Sequence, residues 1–177
     1  MTTFQQAFVP AVNKDGYSRL TFLGMDKKSG ISPVKDKEGN TTVDAETGEV
    51  KTKEWVIINL TFEVMGRVKG TSQKVAVTVG ERYTEENLLG KTLTAMGFVA
   101  PEVETVTDDD GFEVEVLPED EDGFGQVEDD DSLGSSIEAF INNHIGKVYM
   151  GKVEKATEGK RKGYLMVDVE TIKLLTK

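Results

Sequence analysis

The chain contains no cysteine and only one histidine, His144, among its 177 residues. The lack of thiols excludes disulfides, iron–sulfur clusters, thiolate zinc sites and cysteine nucleophiles. A single histidine also leaves no basis for nucleophilic triads or for most metalloenzyme sites. We therefore predict no catalytic residue, no metal site and no cofactor, and we interpret the protein as a non-enzyme.

Long apolar runs are absent as well. No stretch approaches the roughly 18 apolar residues of a transmembrane helix. The first residues, MTTFQQAFVPAVNKDG, lack the basic and apolar regions of a secretory signal. These features predict a soluble, cytoplasmic protein with no membrane partner.

Positive charge is missing from a long part of the chain. No Lys or Arg occurs between Lys91 and Lys147, although the protein has 21 of them against 32 Asp and Glu. Fifteen acidic residues lie between Glu102 and Asp131, so the rest of the chain carries 17 acids against 21 bases, a net charge of +4. The overall charge of −11 thus hides a mildly basic domain, and it does not exclude nucleic acid as a partner.

Alternating apolar and polar residues predict five strands, and a 3.6-residue period predicts two helices. The first helix lies in TEENLLGKTLTAMGF, with Thr84 as its N-cap and Gly97 at its end. The second lies in SSIEAFINNHIG, where Ser135 and Glu138 form a capping box and Gly146 marks the end. The predicted strands are Tyr17–Met25, Glu54–Met65, Gln73–Tyr83, Lys147–Lys155 and Gly163–Leu175.

This order of elements predicts a mainly β fold, a five-stranded OB-fold-like barrel with a helix between its third and fourth strands. Residues 1–15 form an N-terminal arm, and residues 16–177 form a single domain. An acidic insertion at 101–134 interrupts this domain, and its composition predicts disorder. An α+β sandwich with the same element order is the alternative.

Two short patterns resemble ligand-binding motifs but fail on spacing. LLGKT would be a phosphate-binding loop only with a glycine where Glu85 stands, so we interpret Gly90 as a close-packing residue. An EF-hand register built on Gly111 puts Val106 at the first ligand position, where calcium needs a carboxylate.

The face opposite the predicted core carries aromatic and basic side chains. Flat rings stack on unpaired bases, and cationic groups offset phosphate charge. The loops that OB-folds use to hold oligonucleotides, after the first and fourth strands, both carry basic residues here: Lys35, Lys37, Lys51 and Lys53 at the base of the first, and Lys155, Lys160, Arg161 and Lys162 in the second. The same residues are also compatible with packing and solubility alone. The predicted nucleic-acid-binding residues are Tyr17, Arg19, Trp55, Lys74, Lys147, Tyr149, Lys160, Arg161, Lys162 and Tyr164.

An acidic–aromatic unit occurs twice in the acidic segment, as DDDGF ending at Phe112 and as EDEDGF ending at Phe124. Carboxylates followed by one phenylalanine suit a partner with a basic pocket and an apolar hole. They also suit the protein's own basic groove, where they would compete with DNA. The predicted partner-binding residues are Phe112, Phe124, Asp108, Asp109, Asp110, Asp120, Glu121 and Asp122.

Three segments resemble small single-stranded DNA-binding proteins encoded by phages and plasmids. They are LTFEVMGRVKG, NLLGKTLTAMGF and FINNHIGKVYMGKVEKATEGKRKGYLMV, and with the element order the resemblance covers roughly Tyr17–Leu175. It implies an OB-fold that binds single-stranded DNA with low sequence specificity, in replication or recombination inside a bacterial host cell. Such proteins commonly end in an acidic tail with a terminal phenylalanine that recruits replication and recombination enzymes. Here the acidic segment is internal, and the C-terminus, TIKLLTK, is basic.

A second hypothesis assigns the function to the acidic segment itself. The protein would then be a protein-binding adaptor, or an inhibitor that imitates DNA in a basic groove of another protein. Deletion of Glu102–Asp131 separates the two hypotheses, because it preserves or strengthens DNA binding under the first and abolishes partner binding under the second. The sequence leaves open the choice between DNA and RNA, and whether the chain forms a homo-oligomer.

Overall fold

A computed structural model describes residues 7–102, 104–116 and 132–175. It divides into two compact units, Met1–Gly97 with His144–Lys177, and Phe98–Asn143. The first unit holds 16 acidic residues and all 21 Lys and Arg, a net charge of +5. The second holds 16 acidic residues and no Lys or Arg, a net charge of −16. The structural boundary therefore coincides with the boundary in charge.

The chain is mainly β, as predicted. A five-stranded antiparallel sheet in the order β3-β2-β1-β6-β7 forms the first unit, and a two-stranded hairpin of β4 and β5 lies in the second. All five predicted strands are present in the larger sheet, with shifted ends. The strands are β1 (Ser18–Pro33), β2 (Thr52–Met65), β3 (Ser72–Gly80), β4 (Glu104–Thr107), β5 (Glu113–Val116), β6 (Val148–Lys155) and β7 (Leu165–Leu174).

The larger sheet is not a closed barrel, so the predicted closure is wrong. β3 and β7 form its two edges, and no hydrogen-bonded ladder joins these described strands. Both edges line one groove of about 320 Å³. Closure depends on strand tilt and shear, and side-chain alternation specifies neither of them.

The inner face of the sheet buries the apolar residues that alternate along the strands, as predicted. The Phe22 and Phe62 rings have centroids 5.2 Å apart, and Phe62 meets Tyr149 edge-on at 6.4 Å. Helix α1 (Leu88–Ala95) packs mainly against β7 and buries Leu89 and Leu93. The other buried apolar residues of the sheet include Leu20, Leu60, Val64, Val75, Val77, Val79, Val167, Val169 and Ile172.

Helix α1 starts later than predicted. Its N-cap is Asn87, whose Oδ1 accepts from the Gly90 amide at 2.9 Å. Thr84 is therefore not the cap; its hydroxyl instead accepts from the Asn87 amide at 3.1 Å. The end at Gly97 is confirmed, since this residue has a φ of +101°, a conformation that favours glycine.

The second unit contains a hairpin within the acidic insertion. Glu104–Thr107 and Glu113–Val116 pair as β4 and β5. Residues 103 and 117–131 lie outside the described residues. Helix α2 (Ser132–His144) begins three residues before the predicted capping box, so Ser135 lies inside the helix. Phe98 contacts Phe140 of this helix, with ring centroids 5.2 Å apart.

Three turns share one sequence pattern, an Asn or Asp followed three residues later by Gly. In each, the first residue's Oδ1 accepts from the amides two and four positions further on, at 2.8–3.0 Å. The glycine has a φ between +82° and +89°. The turns are Asn13–Tyr17, Asp36–Asn40 and Asp108–Phe112. At Asp36, donation led by the Asn40 amide lowers the pKa of the carboxyl group.

The N-terminal arm is paired with the sheet. Pro10 bridges Gly66, the Ala11 amide donates to Met65, and the Arg67 amide donates to Val9. The arm thus continues the sheet beside the end of β2. Within the described residues, no helix has the length and apolar character needed to cross a bilayer.

Candidate nucleic-acid interface

The outer face of the sheet, opposite the core, carries the predicted binding residues Arg19, Trp55 and Lys74, and Tyr17 lies just before β1. β1 contains a bulge between Phe22 and Gly24. Before the bulge Thr21 pairs with Glu63, and after it Gly30 pairs with Trp55, so both ends of β1 keep one face outward. The bulge therefore places Gly30 on the same outer face as Arg19 and Trp55.

Trp55 lies on β2, in the part of the paired strands β1 and β2 that extends beyond the core. A Cβ at Gly30 would come within 2.5 Å of the Trp55 ring, so the indole rests directly on the Gly30 backbone. The indole remains 38% exposed. Lys53 and Ile57 flank it on β2, and Lys28 pairs with Ile57. We call Lys28, Lys53, Trp55 and Ile57 the Trp55 group.

The centre of the outer face is polar and has small side chains. The Thr78 hydroxyl donates to Asn59 Oδ1 at 2.8 Å across β2 and β3. Lys74 pairs in register with Glu63, whose carboxylate accepts instead from the Ser72 hydroxyl at 2.9 Å. Lys74 is exposed, as predicted, and no carboxylate of the described residues forms an ion pair with it. The centre of the outer face is therefore covered by short side chains, and Lys74 has no ion-pair partner there among the described residues.

A second basic group lies where β1, β6 and β7 meet. The Lys152 and Lys173 ammonium groups lie 5.6 and 5.7 Å from the centroid of the Tyr17 ring. Arg19 pairs with Met150, which pairs with Lys173, so these three residues form one row across the strands. We call Tyr17, Arg19, Lys152 and Lys173 the Tyr17 group.

A second bulge positions Lys152. The register of β6 and β7 shifts between Met150 and Lys152. The Lys152 amide donates to the Thr171 hydroxyl at 2.8 Å, and this hydroxyl donates to the Asp168 carbonyl at 2.6 Å. A Cβ at Gly151 would come within 2.8 Å of Leu20, so only glycine fits the bulge without a shift. Local packing thus fixes the backbone from which Lys152 projects.

The last turn carries the remaining predicted cations. A short 3-10 helix, Gly159–Arg161, holds Lys160 and Arg161, and Lys162 follows it. Arg161 lines the groove between the edges of β3 and β7, near Ala76 and Thr78. Tyr164 is 67% exposed at the base of the turn. The turn therefore borders the outer face at β3.

Two predicted residues do not belong to this face. Tyr149 is fully buried in the core, so the expectation of an exposed ring is wrong. Lys147 is exposed but follows the inner-face alternation of Tyr149, and its Nζ lies 3.2 Å from His144 Nε2. Val148, Tyr149 and Met150 are all apolar, so β6 shows no alternation from which its inner face could be read. The register shift beside Gly151 changes the parity of β7 instead, where Val167 and Val169 are buried before it and Ile172 after it.

The acidic candidate residues are only partly within the described structure. Asp108, Asp109, Asp110 and Phe112 form the loop between β4 and β5, and Phe112 is 68% exposed there. Asp120, Glu121, Asp122 and Phe124 lie outside the described residues. Within the part of the chain that is described, no cluster of His, Asp and Glu is arranged to hold a metal ion.

Sequence reasoning missed Lys28, Lys152, Lys173 and the role of Gly30. The glycine in YMGK was a usable signal, because glycine inside a strand often marks a bulge. No signal of this kind identified Lys173, whose contact with Tyr17 depends on strand pairing across the sheet. Comparisons with protein-family models, with curated proteins and with solved structures found no match to this chain.

Proposed function

We propose that this protein binds single-stranded DNA with low sequence specificity, on an OB-like framework, in the replication or recombination of a phage or other mobile element in a bacterial cytoplasm. The observation that carries the proposal is the Trp55 group: a partly exposed indole resting on Gly30, with Lys53 and Lys28 beside it. A ring held in this way presents a flat surface to an unpaired base, and the neighbouring ammonium groups meet the phosphates.

The strand order supports an OB-like framework. The order β3-β2-β1-β6-β7, with α1 between β3 and β6 in the chain, is the order of an OB barrel opened between β3 and β7. The segment that follows β6 is basic, and it takes the position of one of the two loops with which OB-folds hold oligonucleotides.

The distribution of charge supports the same proposal. The unit that contains the sheet has a net charge of +5, although the whole chain has −11. Cationic side chains on the sheet surface and on the last turn make the outer face positively charged. A polyanion approaching this face meets attraction that the global charge conceals.

The test is a fluorescence-anisotropy titration of labelled oligo(dT) at low and moderate salt, with a duplex as control. We expect salt-sensitive binding to the single strand, because phosphate contacts release counterions. Trp55→Ala should weaken binding by roughly 1–3 kcal/mol, about 5- to 150-fold in Kd, as expected for loss of one stacked base. Trp55→Phe is the matched variant and should retain most of the affinity, because it keeps an aromatic face.

Trp55 is the only tryptophan, so quenching of its emission by oligo(dT) reports the contact directly. The function would be rejected if oligo(dT) at low salt bound neither to the wild-type protein nor to a variant that lacks the acidic segment. Binding that is unaffected by Trp55→Ala in a folded protein would remove Trp55 from the site.

A second candidate function rests on the acidic unit. Its β4–β5 loop places exposed Phe112 directly after three carboxylates, Asp108–Asp110. This arrangement fits the adaptor hypothesis, in which a basic surface of another replication or recombination protein receives the loop. Under that function, Phe112→Ala abolishes partner binding and leaves oligo(dT) binding unchanged.

A further inference from the structure

The Tyr17 group brings positive charges together without an anion. Two ammonium groups lie over one tyrosine ring, and Arg19 lies on the same outer face. Among the described residues, no carboxylate forms an ion pair with Lys152, Lys173 or Arg19. Each contact with the ring is attractive, which partly offsets the repulsion between the lysines. The group is therefore prepared for an anion.

The nearest carboxylate in register does not serve as that anion. Lys152 pairs with Asp168 across β6 and β7, yet no ion pair joins them. The Asp168 carboxylate accepts from the Glu170 amide at 3.3 Å instead. Thr171 and the bulge hold the Lys152 backbone where its side chain reaches Tyr17.

The contacts also define the chemistry of the ligand. Because two ammonium groups lie over the Tyr17 ring, the ring positions cations. We propose that the Tyr17 group is a phosphate site, which holds the sugar–phosphate backbone of the same strand that stacks on Trp55. This inference rests on the proposed function and adds a second, base-independent contact to it.

The two groups are far enough apart to act as separate contacts. Gly30, the partner of Trp55, follows Arg19 by eleven residues along β1. At about 3.3 Å per residue this is a contour of roughly 36 Å, which the bulge and strand curvature shorten. A strand that reaches both groups gains from the high effective concentration of the second contact, whereas a shorter strand does not.

The experiment is a length series of oligo(dT), starting from about 4 nucleotides, the lower end of OB-fold site sizes. The proteins are the full chain and its Lys152→Gln/Lys173→Gln variant. We expect wild-type affinity to rise in a step once the strand spans both groups. The double variant should lose the step and keep the wild-type affinity for short strands. Its log–log salt slope for long strands should fall by about 1.4, since each phosphate contact on a single strand contributes about 0.7.

Lys69→Gln/Arg82→Gln is the matched control, because it removes two exposed cations that lie in neither group. It should retain the step and the slope. Tyr17→Leu should reduce the salt slope in part, because Lys152 and Lys173 lose their contact with the aromatic ring. Tyr17→Phe keeps the ring and should keep the slope. These readouts separate a positioning role of Tyr17 from a purely structural one.

Each other outcome has a definite meaning. If long strands bind the double variant as they bind the wild type, there is no second site, while the proposed function stands. If short strands lose affinity equally, the lysines belong to the Trp55 contact, and the separate site is rejected. If no strand of any length binds, either to the wild type or to a variant without the acidic segment, the proposed function fails first, and this inference fails with it.

Discussion

At the scale of single residues, three glycines are required for close contacts and not for unusual backbone angles. Gly30, Gly90 and Gly151 lie against Trp55, the Thr84 carbonyl and Leu20, respectively, and none of them has a positive φ. The sequence shows glycine at each place but not its neighbour. Only for Gly90 did the pattern suggest close packing, and the structure confirms it.

Tyr149 gives the clearest prediction at this scale. Its hydroxyl is buried without a hydrogen-bond partner among the described residues, and burial raises the pKa of Tyr149 to about 12. An unfolded tyrosine loses its proton near pH 10, whereas the folded one keeps it to about pH 12. The free energy of unfolding should therefore fall as pH rises from 10 to 12, by at most about 1.4 kcal/mol per pH unit from this group.

Tyr149→Phe should remove this part of the alkaline slope, and at neutral pH it should be neutral or stabilising. Urea unfolding measured across pH 9–12 (about the range in which tyrosine titrates) checks both points. The control is Tyr164→Phe, which alters an exposed ring and should leave the slope intact. A loss of more than about 1 kcal/mol at neutral pH would show that the buried hydroxyl does have a partner.

At the scale of elements, helix α1 depends on the contact beneath its first turn. A Cβ at Gly90 would collide with the Thr84 carbonyl oxygen, which is backbone and cannot rotate away. Gly90→Ala should therefore destabilise the protein by about 1–3 kcal/mol, even though alanine is the better helix former. The change is measured as a shift in the denaturation midpoint.

Gly80→Ala adds the same methyl group at the end of β3, where no atom lies within 4 Å. Its effect should stay within about 0.5 kcal/mol. Equal stability of the two variants would mean that α1 can move away from Thr84, and that Gly90 is not needed for the packing.

Bulges explain where the element predictions succeeded and where they failed. The outer face of β1 was assigned correctly up to its bulge, because Leu20 and Phe22 alternate clearly with polar residues. In β6, three consecutive apolar residues gave no alternation, and Tyr149 was placed on the wrong face. Its burial reflects contact with Phe62, which lies far away in the sequence.

At the scale of the whole molecule, the protein joins a unit of charge +5 to one of −16. The charge of the acidic unit repels a polyanion over distances up to the screening length, and added salt shortens this length. Replacing Glu102–Asp131 by an uncharged Gly/Ser linker should strengthen oligo(dT) binding at low salt, and the gain should shrink as salt rises. Anisotropy titrations at several salt concentrations measure both effects.

A second variant separates the effect of the segment's charge from the effect of its bulk. In this variant each Asp and Glu of the segment is replaced by Asn or Gln at unchanged length, and we expect the same increase in oligo(dT) affinity. If the linker variant binds more tightly and the neutralised one does not, the segment acts by bulk and not by charge. Weaker binding by both would mean that the acidic unit contributes to the interface with DNA.

The sequence alone determined the strands, the helices, the buried faces with clear alternation and the separation of charge, because these depend on local periodicity and composition. It also identified Trp55, Arg19 and the basic last turn as exposed candidates. Tertiary structure decided the open sheet edges, the burial of Tyr149, the support of Trp55 by Gly30 and the convergence of Lys152 and Lys173 on Tyr17. These features depend on register, bulges and contacts between residues distant in the chain, which no local pattern specifies.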